Sequence, residues 1–281
     1  MPIIQAVVLA VVQGLTEFFP VSSSGHLVLT RWLFGWDPFV GEPQLELAFD
    51  VAVHLGTLAG AIAYFRKDLV RYTKAGLAAL VDADRRRGGD SDASIAWLLV
   101  LATVPAVIVG VFFVDAEESL GSNIAVVALA LIAFGLLLGW ADRRQGERPA
   151  TSWRARDAVA MGVGQALALQ PGVSRSGATI TVARMMGFDR DAAARLAFLM
   201  AIPVIAGAGV YSAIDVFGNG GVPDEFRAAF VVGFGVAALT GWVAVWATLR
   251  IVRTRSFDVF VVYRVVAGLF VLGVLATPWR S

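Results

Sequence analysis

Six stretches of the chain, near residues 47–65, 95–114, 122–140, 193–213, 226–248 and 259–278, are each apolar over roughly the 20 residues that a helix needs to cross a bilayer. Lipid offers no partner to a bare N–H or C=O, so runs like these fold as helices that satisfy their own backbones. The rest of the composition agrees: 58% of residues are hydrophobic, 16% are charged and the mean hydropathy is +0.73. The expected fold class is therefore an all-α polytopic membrane protein with six transmembrane helices. The leading "MPIIQAVVLAVVQGL" has no basic flank and no small-residue cleavage site, so it is expected to stay in the mature protein. There is no cysteine, which excludes disulfides, thiolate catalysis and cysteine-bound metals.

The formal charge of +1 hides an uneven distribution. Lys and Arg gather in 66–87, in 143–156 and in 250–255, which by the positive-inside rule are expected to be cytoplasmic. The connections "VDAEESLGS" (114–122) and "IDVFGNGGVPDE" (214–225) are acidic or neutral and are expected to face outward, with both termini outside. The run "DADRRRGGDSD" (82–92) reads as a solvated cytoplasmic loop, and the eight tryptophans as interfacial anchors.

Two further apolar segments, 2–36 and 156–188, are broken at their middles, the first by Pro20 and Ser22 to Gly25, the second by Pro171, Gly172 and Gly177. Each half is too short to cross. A re-entrant pair of half-helices is the economical reading, since irregular backbone at membrane depth must be buried in protein or line a wet cavity; a single kinked span is the alternative. The two segments also resemble each other. A constant offset (174 − 22 = 152) pairs Gln13 with Gln165, Val21 with Val173, Ser24 with Ser176, Gly25 with Gly177 and Asp37 with Asp189, and "LAF" at 47–49 recurs at 196–198. The chain reads as a single membrane domain, 1–281, made of a first repeat, 1–141, and a second, 153–281. Each holds one re-entrant hairpin (2–36 and 156–188) and three spans. An odd number of spans turns the second copy upside down, and such inverted repeats bring broken-helix tips together near the midplane.

What the tips carry suits an anion. Ser174, Arg175, Ser176 and Gly177 fall where a half-helix starts, so its free N–H groups and positive dipole end point at the break. A guanidinium adds forked donors that match phosphate oxygens, and a permanent charge at this depth is costly. The plainer reading makes Ser174 a cap and Arg175 a partner for Glu17 alone. The stretch is no Walker loop, because it lacks the closing Gly-Lys-Ser/Thr. On the other tip, Gln13 and Glu17 are four apart and share a helix face, Ser22, Ser23 and Ser24 open the next half-helix, and His26 follows in its first turn. A carboxylate, hydroxyls and an imidazole are the parts of an activated oxygen nucleophile, and Glu17 could instead hold a divalent cation. Three serines at a helix start can equally be caps. Asp50 and His54, spaced four apart, either support this site or pair with each other. A carrier of phosphate or lipid phosphate would show the same inverted, broken-helix architecture. It would need the anion donors but not a nucleophile beside a base.

"QGLTEFFPVSSSGH" (13–26) and "QPGVSRSGAT" (170–179) resemble the two motifs of the undecaprenyl-diphosphatase family, also called BacA or UppP. The resemblance covers essentially the whole chain. It implies hydrolysis of undecaprenyl diphosphate to undecaprenyl phosphate and inorganic phosphate, at a site opening to the outer face of the bacterial cytoplasmic membrane, with recycling of the cell-wall lipid carrier and bacitracin resistance. It also implies a divalent cation, magnesium or calcium. Carried over by position, Glu17 is the essential glutamate and metal ligand, Ser23 the nucleophile or phosphate ligand, His26 the motif histidine and Arg175 the phosphate clamp. Ser22, Ser24, Ser174, Ser176, Gly177 and Thr179 form the substrate-binding shell. Gln13 stands where many members have a second glutamate, and a neutral amide there is expected only to orient substrate or ion. The expected partners are the polyprenyl diphosphate and membrane lipid, with no nucleic acid; a homodimer is compatible with the sequence.

Overall fold

The computed structural model describes residues 1–82, 91–112, 123–218 and 221–278. Among them the chain forms ten α-helices: α1 (Ile3–Phe18), α2 (Ser23–Phe34), α3 (Pro43–Val81), α4 (Ser91–Phe112), α5 (Ile124–Asp142), α6 (Ala155–Leu167), α7 (Arg175–Met185), α8 (Arg190–Gly218), α9 (Asp224–Val252) and α10 (Asp258–Leu275). The described residues contain no strand, only one isolated bridge between Arg148 and Phe188. Six helices, α3, α4, α5, α8, α9 and α10, are long and apolar enough to cross a membrane, and they fall on the six expected runs.

The ends of these helices follow from local chemistry. Asn123 accepts from the backbone N–H groups of Ala125 and Val126 and so caps α5. Pro43 opens α3, where its missing N–H costs nothing. Gly35 closes α2 in the left-handed conformation. The largest departure from the sequence reading is α3. The expected span 47–65 is only its first part, because the helix runs for 39 residues, about 58 Å at 1.5 Å per residue and about twice the thickness of the hydrocarbon layer. Its basic second half is rich in Ala, Leu, Lys and Arg, all good helix formers, so 66–81 is helix and not loop. Of the run 82–92, residues 83–90 lie outside the described residues, as do the whole connection 114–122 and residues 219–220.

Helix α9 packs against both α3 and α1, α10 against α5, and α6 against α4 and α7. Ion pairs and hydrogen bonds tie the helices together. Asp142, at the end of α5, accepts from Arg184 Nε at 3.1 Å, from Arg190 Nε at 2.8 Å and from the Phe257 amide at 3.0 Å, which joins α5 to α7, α8 and α10. Arg195 reaches from α8 to Asp68 of α3 at 2.8 Å. Within this frame α1 and α6 both stop short: α1 ends at Phe18 and α6 at Leu167, and the chain turns before α2 and α7 begin.

Candidate active site

The two turns meet. The backbone N–H of Gly172 donates to Ser22 Oγ at 2.9 Å, across 150 residues of sequence. Ser176 Oγ lies 3.2 Å from the Glu17 carbonyl and 3.3 Å from the Phe19 carbonyl, so the start of α7 rests on the end of α1. Each new half-helix begins after a serine with positive φ, 79° at Ser22 and 77° at Ser174, the two non-glycine residues in that region among the described residues. Such a backbone is uncommon outside glycine and persists only where the surroundings hold it. Here it marks the points at which α2 and α7 start. Ser174 Oγ accepts from the Gly177 amide at 3.1 Å, so this serine is also a cap.

Glu17 is the hub of the polar side chains. Its carboxylate is nearly sealed, with 2% of the side chain exposed. Oε2 accepts from Ser23 Oγ at 2.6 Å and from Gln13 Nε2 at 2.9 Å, and faces His54 Nε2 at 3.5 Å. Oε1 faces Arg175 Nε at 3.9 Å, longer than a hydrogen bond, which leaves the guanidinium donors unused by the carboxylate. Four of the residues singled out from sequence, Gln13, Glu17, Ser23 and Arg175, thus share one small volume.

The others are placed differently. His26 is held away from Glu17 by both ring nitrogens: Nδ1 donates to the Ser22 carbonyl at 2.7 Å, and the Tyr263 hydroxyl, 2.8 Å away, donates to Nε2. Thr179 is buried, and its hydroxyl donates back to the carbonyls of Arg175 and Ser176 at 2.8 and 3.1 Å. Ser24 lies half-buried beside Ser23 on the first turn of α2. Asp50 and His54 do not pair through their side chains. The Asp50 carboxylate is gripped by both Arg31 Nη atoms, and His54 Nδ1 donates to the Asp50 backbone carbonyl at 2.7 Å. That leaves His54 Nε2 pointing at Glu17.

One site residue escaped the sequence reading. Arg264 of α10 is fully buried and donates through Nη1 to the Pro20 carbonyl at 3.0 Å, through Nη2 to the carbonyls of Gly172 and Val173 at 2.9 and 3.0 Å, and through Nε to Leu131 at 3.0 Å. It clamps both turns from behind by their carbonyls. Gly177 lets it approach, since a Cβ there would sit 2.8 Å from Nη1. The available signal was a lone arginine inside the apolar run 259–278, and charge at membrane depth is seldom idle.

The residues present fit a divalent cation in the donors they offer. Among the described residues no three His, Asp or Glu side chains cluster to form a metal cage. Around Glu17, however, Gln13 Oε1 is buried with no hydrogen-bond partner, an acceptor left over beside a carboxylate. A hard cation held by one carboxylate, an amide oxygen, water and phosphate oxygens is ordinary for phosphate chemistry.

The sequence profile described as "Bacitracin resistance protein BacA" matches residues 6–270. The chain belongs to the BacA family. The matched residues include both turns and Arg264, so the family region contains the whole site. Relatives within the BacA family align over nearly their full lengths. An undecaprenyl-diphosphatase of Thermomicrobium roseum is 41% identical over 285 residues, covering 97% of this chain and 98% of the relative. Another of that name, from Desulforudis audaxviator, is 42% identical over 269 residues, covering 95% and 96%. A third, from a Nocardioides species, is 41% identical over 281 residues, covering 98% and 97%.

Proposed function

We propose that the chain hydrolyses the phosphoanhydride of undecaprenyl diphosphate, giving undecaprenyl phosphate and inorganic phosphate, and so recycles the cell-wall lipid carrier and confers bacitracin resistance. The observation that carries this reading is the 2.6 Å contact of Ser23 Oγ with Glu17 Oε2, a nucleophile already donating to a base. A carrier would need the anion donors alone. The names of the relatives agree with the reading.

The diphosphate docks between the two turns, with the polyprenyl tail leaving into lipid. Arg175 and the opening amides of α2 and α7 meet the charge on the terminal phosphoryl group, which is where most of the catalysis of phosphoryl transfer lies. Ser23 Oγ attacks the terminal phosphorus. Its proton passes to Glu17 Oε2, the Oγ–P bond forms, and the bridging P–O bond breaks with its electron pair leaving on undecaprenyl phosphate. Water then attacks the phosphoserine, and the proton held on Glu17 returns to Ser23 Oγ as that bond breaks. Gln13 fixes the carboxylate in place through its amide N–H. Glu17 and Gln13 Oε1 would hold a divalent cation, magnesium or calcium, whose charge, when bound, neutralises the phosphate oxygens.

In the same reading α1–α2 and α6–α7 are re-entrant hairpins of two inverted halves. Three facts support it: the constant 152-residue offset, the matching positive-φ serines, and crosswise packing in which α1 rests on α9 while α6 rests on α4. The site opens to the outer face of the cytoplasmic membrane, opposite the basic segments.

The test is phosphate release from undecaprenyl diphosphate by the purified protein in detergent, with and without EDTA, beside Glu17→Gln and Arg175→Ala. Release that needs a divalent cation and collapses in both folded variants is expected. A wild type that binds the lipid through Arg175 and releases nothing would be a carrier.

A further inference from the structure

The geometry points to His54 as a ligand of the active-site cation, its Nε2 binding beside the Glu17 carboxylate; the inference rests on the phosphatase reading above. His54 lies on α3, and no sequence motif of the two turns includes it.

The ring's protonation follows from its partners. A carbonyl oxygen can only accept, so the 2.7 Å contact with the Asp50 carbonyl places the hydrogen on Nδ1. In the neutral ring Nε2 then presents a lone pair. It faces Glu17 Oε2 at 3.5 Å, longer than an ordinary N–H···O hydrogen bond and open enough for one positive ion to touch both atoms. Bonds of about 2.3–2.6 Å at a right angle span such an edge, and a smaller ion at about 2.1 Å would draw the two atoms together by about half an ångström. An Nδ1–H fixed on a backbone carbonyl is also how metal-binding imidazoles are usually oriented.

The surroundings leave Nε2 for this role. Asp50, the carboxylate nearest along α3, is occupied by Arg31, which also reaches Glu46 at 3.2 Å. From α1 the ring is faced by Glu17, and from α7 only Arg175 reaches that same carboxylate. Charges that α8 and α4 bring to α3, Arg195 and Asp92, meet Asp68 and Arg71, at least fourteen residues or about 21 Å along the helix. Gln13 Oε1, buried and unpartnered on the amide that donates to Glu17 Oε2, is a third oxygen or nitrogen ligand close to that carboxylate. His26 has neither nitrogen available, because Ser22 and Tyr263 occupy them.

Electron spin-echo envelope modulation of bound Mn2+ tests the assignment, and the chain's two histidines, His26 and His54, make it a choice of two. Wild-type protein loaded with Mn2+ is expected to show imidazole nitrogen modulation that moves to the 15N frequencies when histidine is 15N-labelled. The modulation should persist in His26→Gln and vanish in His54→Gln. A nitrogen ligand also favours Mn2+ over Ca2+, so the ratio of their affinities by calorimetry should fall about tenfold or more in His54→Gln. Bound Mn2+ with no nitrogen modulation in the wild type, or modulation lost in His26→Gln, overturns the proposal. The 3.5 Å contact would then be an imidazolium paired with the carboxylate. The wild-type and His26→Gln spectra together decide even if His54→Gln does not fold. The phosphatase reading fails separately, if Ser23→Ala and Glu17→Gln release phosphate at the wild-type rate.

Discussion

Arg264 Nη1 donates to the Pro20 carbonyl at 3.0 Å although 244 residues separate the two in sequence. The same guanidinium holds Gly172 and Val173, so one side chain fixes the distance between the two turns from which the site is built.

Replacing Arg264 with Leu leaves several buried carbonyls without donors, each costing about 1–3 kcal/mol. The apparent midpoint of thermal unfolding in detergent, read by tryptophan fluorescence, should fall sharply. Arg264→Lys should fall between the two, because one ammonium cannot span both turns as the planar fork does. Equal midpoints for Arg264→Leu and wild type would show that the clamp contributes nothing.

Glu17→Gln removes the base from Ser23 and should lower kcat for phosphate release by about 10²- to 10⁴-fold. Ser23→Ala should lose at least as much. Oxygen-18 stereochemistry separates the two routes: retention at phosphorus follows from two displacements through phosphoserine, and inversion means that water attacks directly and Ser23 serves only as a ligand.

Arg175→Ala should reduce kcat by about 10²- to 10³-fold, the usual effect of losing one preorganised donor to a transition-state oxyanion. Its guanidinium is only loosely held by Glu17 at 3.9 Å, so the folded protein should keep its melting midpoint. Steady-state kinetics beside thermal unfolding checks both halves of the statement.

Gly172→Ala should destabilise the second turn. Gly172 sits at φ +96°, where a side chain costs about 1–2 kcal/mol, and its Cβ would come 2.5 Å from the Val127 carbonyl oxygen. A drop in unfolding midpoint of several degrees is expected, with activity lost in parallel. An unchanged midpoint would mean that the turn relaxes freely.

The sequence-level orientation also has a direct check. Because the chain lacks cysteine, single cysteines can be placed at will. Glu42→Cys in intact cells should react with a membrane-impermeant maleimide, and Glu147→Cys should react only after lysis. The reverse pattern would invert the proposed topology.

Much of this is legible in the sequence. Pro20, Pro171 and the glycines and serines around them interrupt apolar runs at their middles, and such residues break helices by local sterics alone. The 152-residue offset then related the two breaks to each other. Gln13, Glu17 and Ser23 were legible as a group because they lie within eleven residues on neighbouring half-helices. The hidden parts depend on distant packing. Nothing near Arg264 in sequence announces that its partners are carbonyls on three other segments. By spacing Asp50 and His54 can pair or support the site; Arg31, nineteen residues from Asp50, holds the carboxylate, and the imidazole faces Glu17. The end of α3 is hidden for another reason: apolar runs locate the lipid-spanning part of a helix and not where its hydrogen bonding stops.

The long reach of Arg264 bears on how the protein is made. Synthesis proceeds from the N-terminus and earlier segments begin to fold first. Both turns therefore leave the ribosome with their carbonyls lacking a donor, Pro20 for more than two hundred residues of elongation. A nascent chain that has inserted α1 to α9 holds every residue of the catalytic group and still lacks the side chain that draws the two turns together. Catalytic competence should then appear late and abruptly during biogenesis, with the arrival of α10.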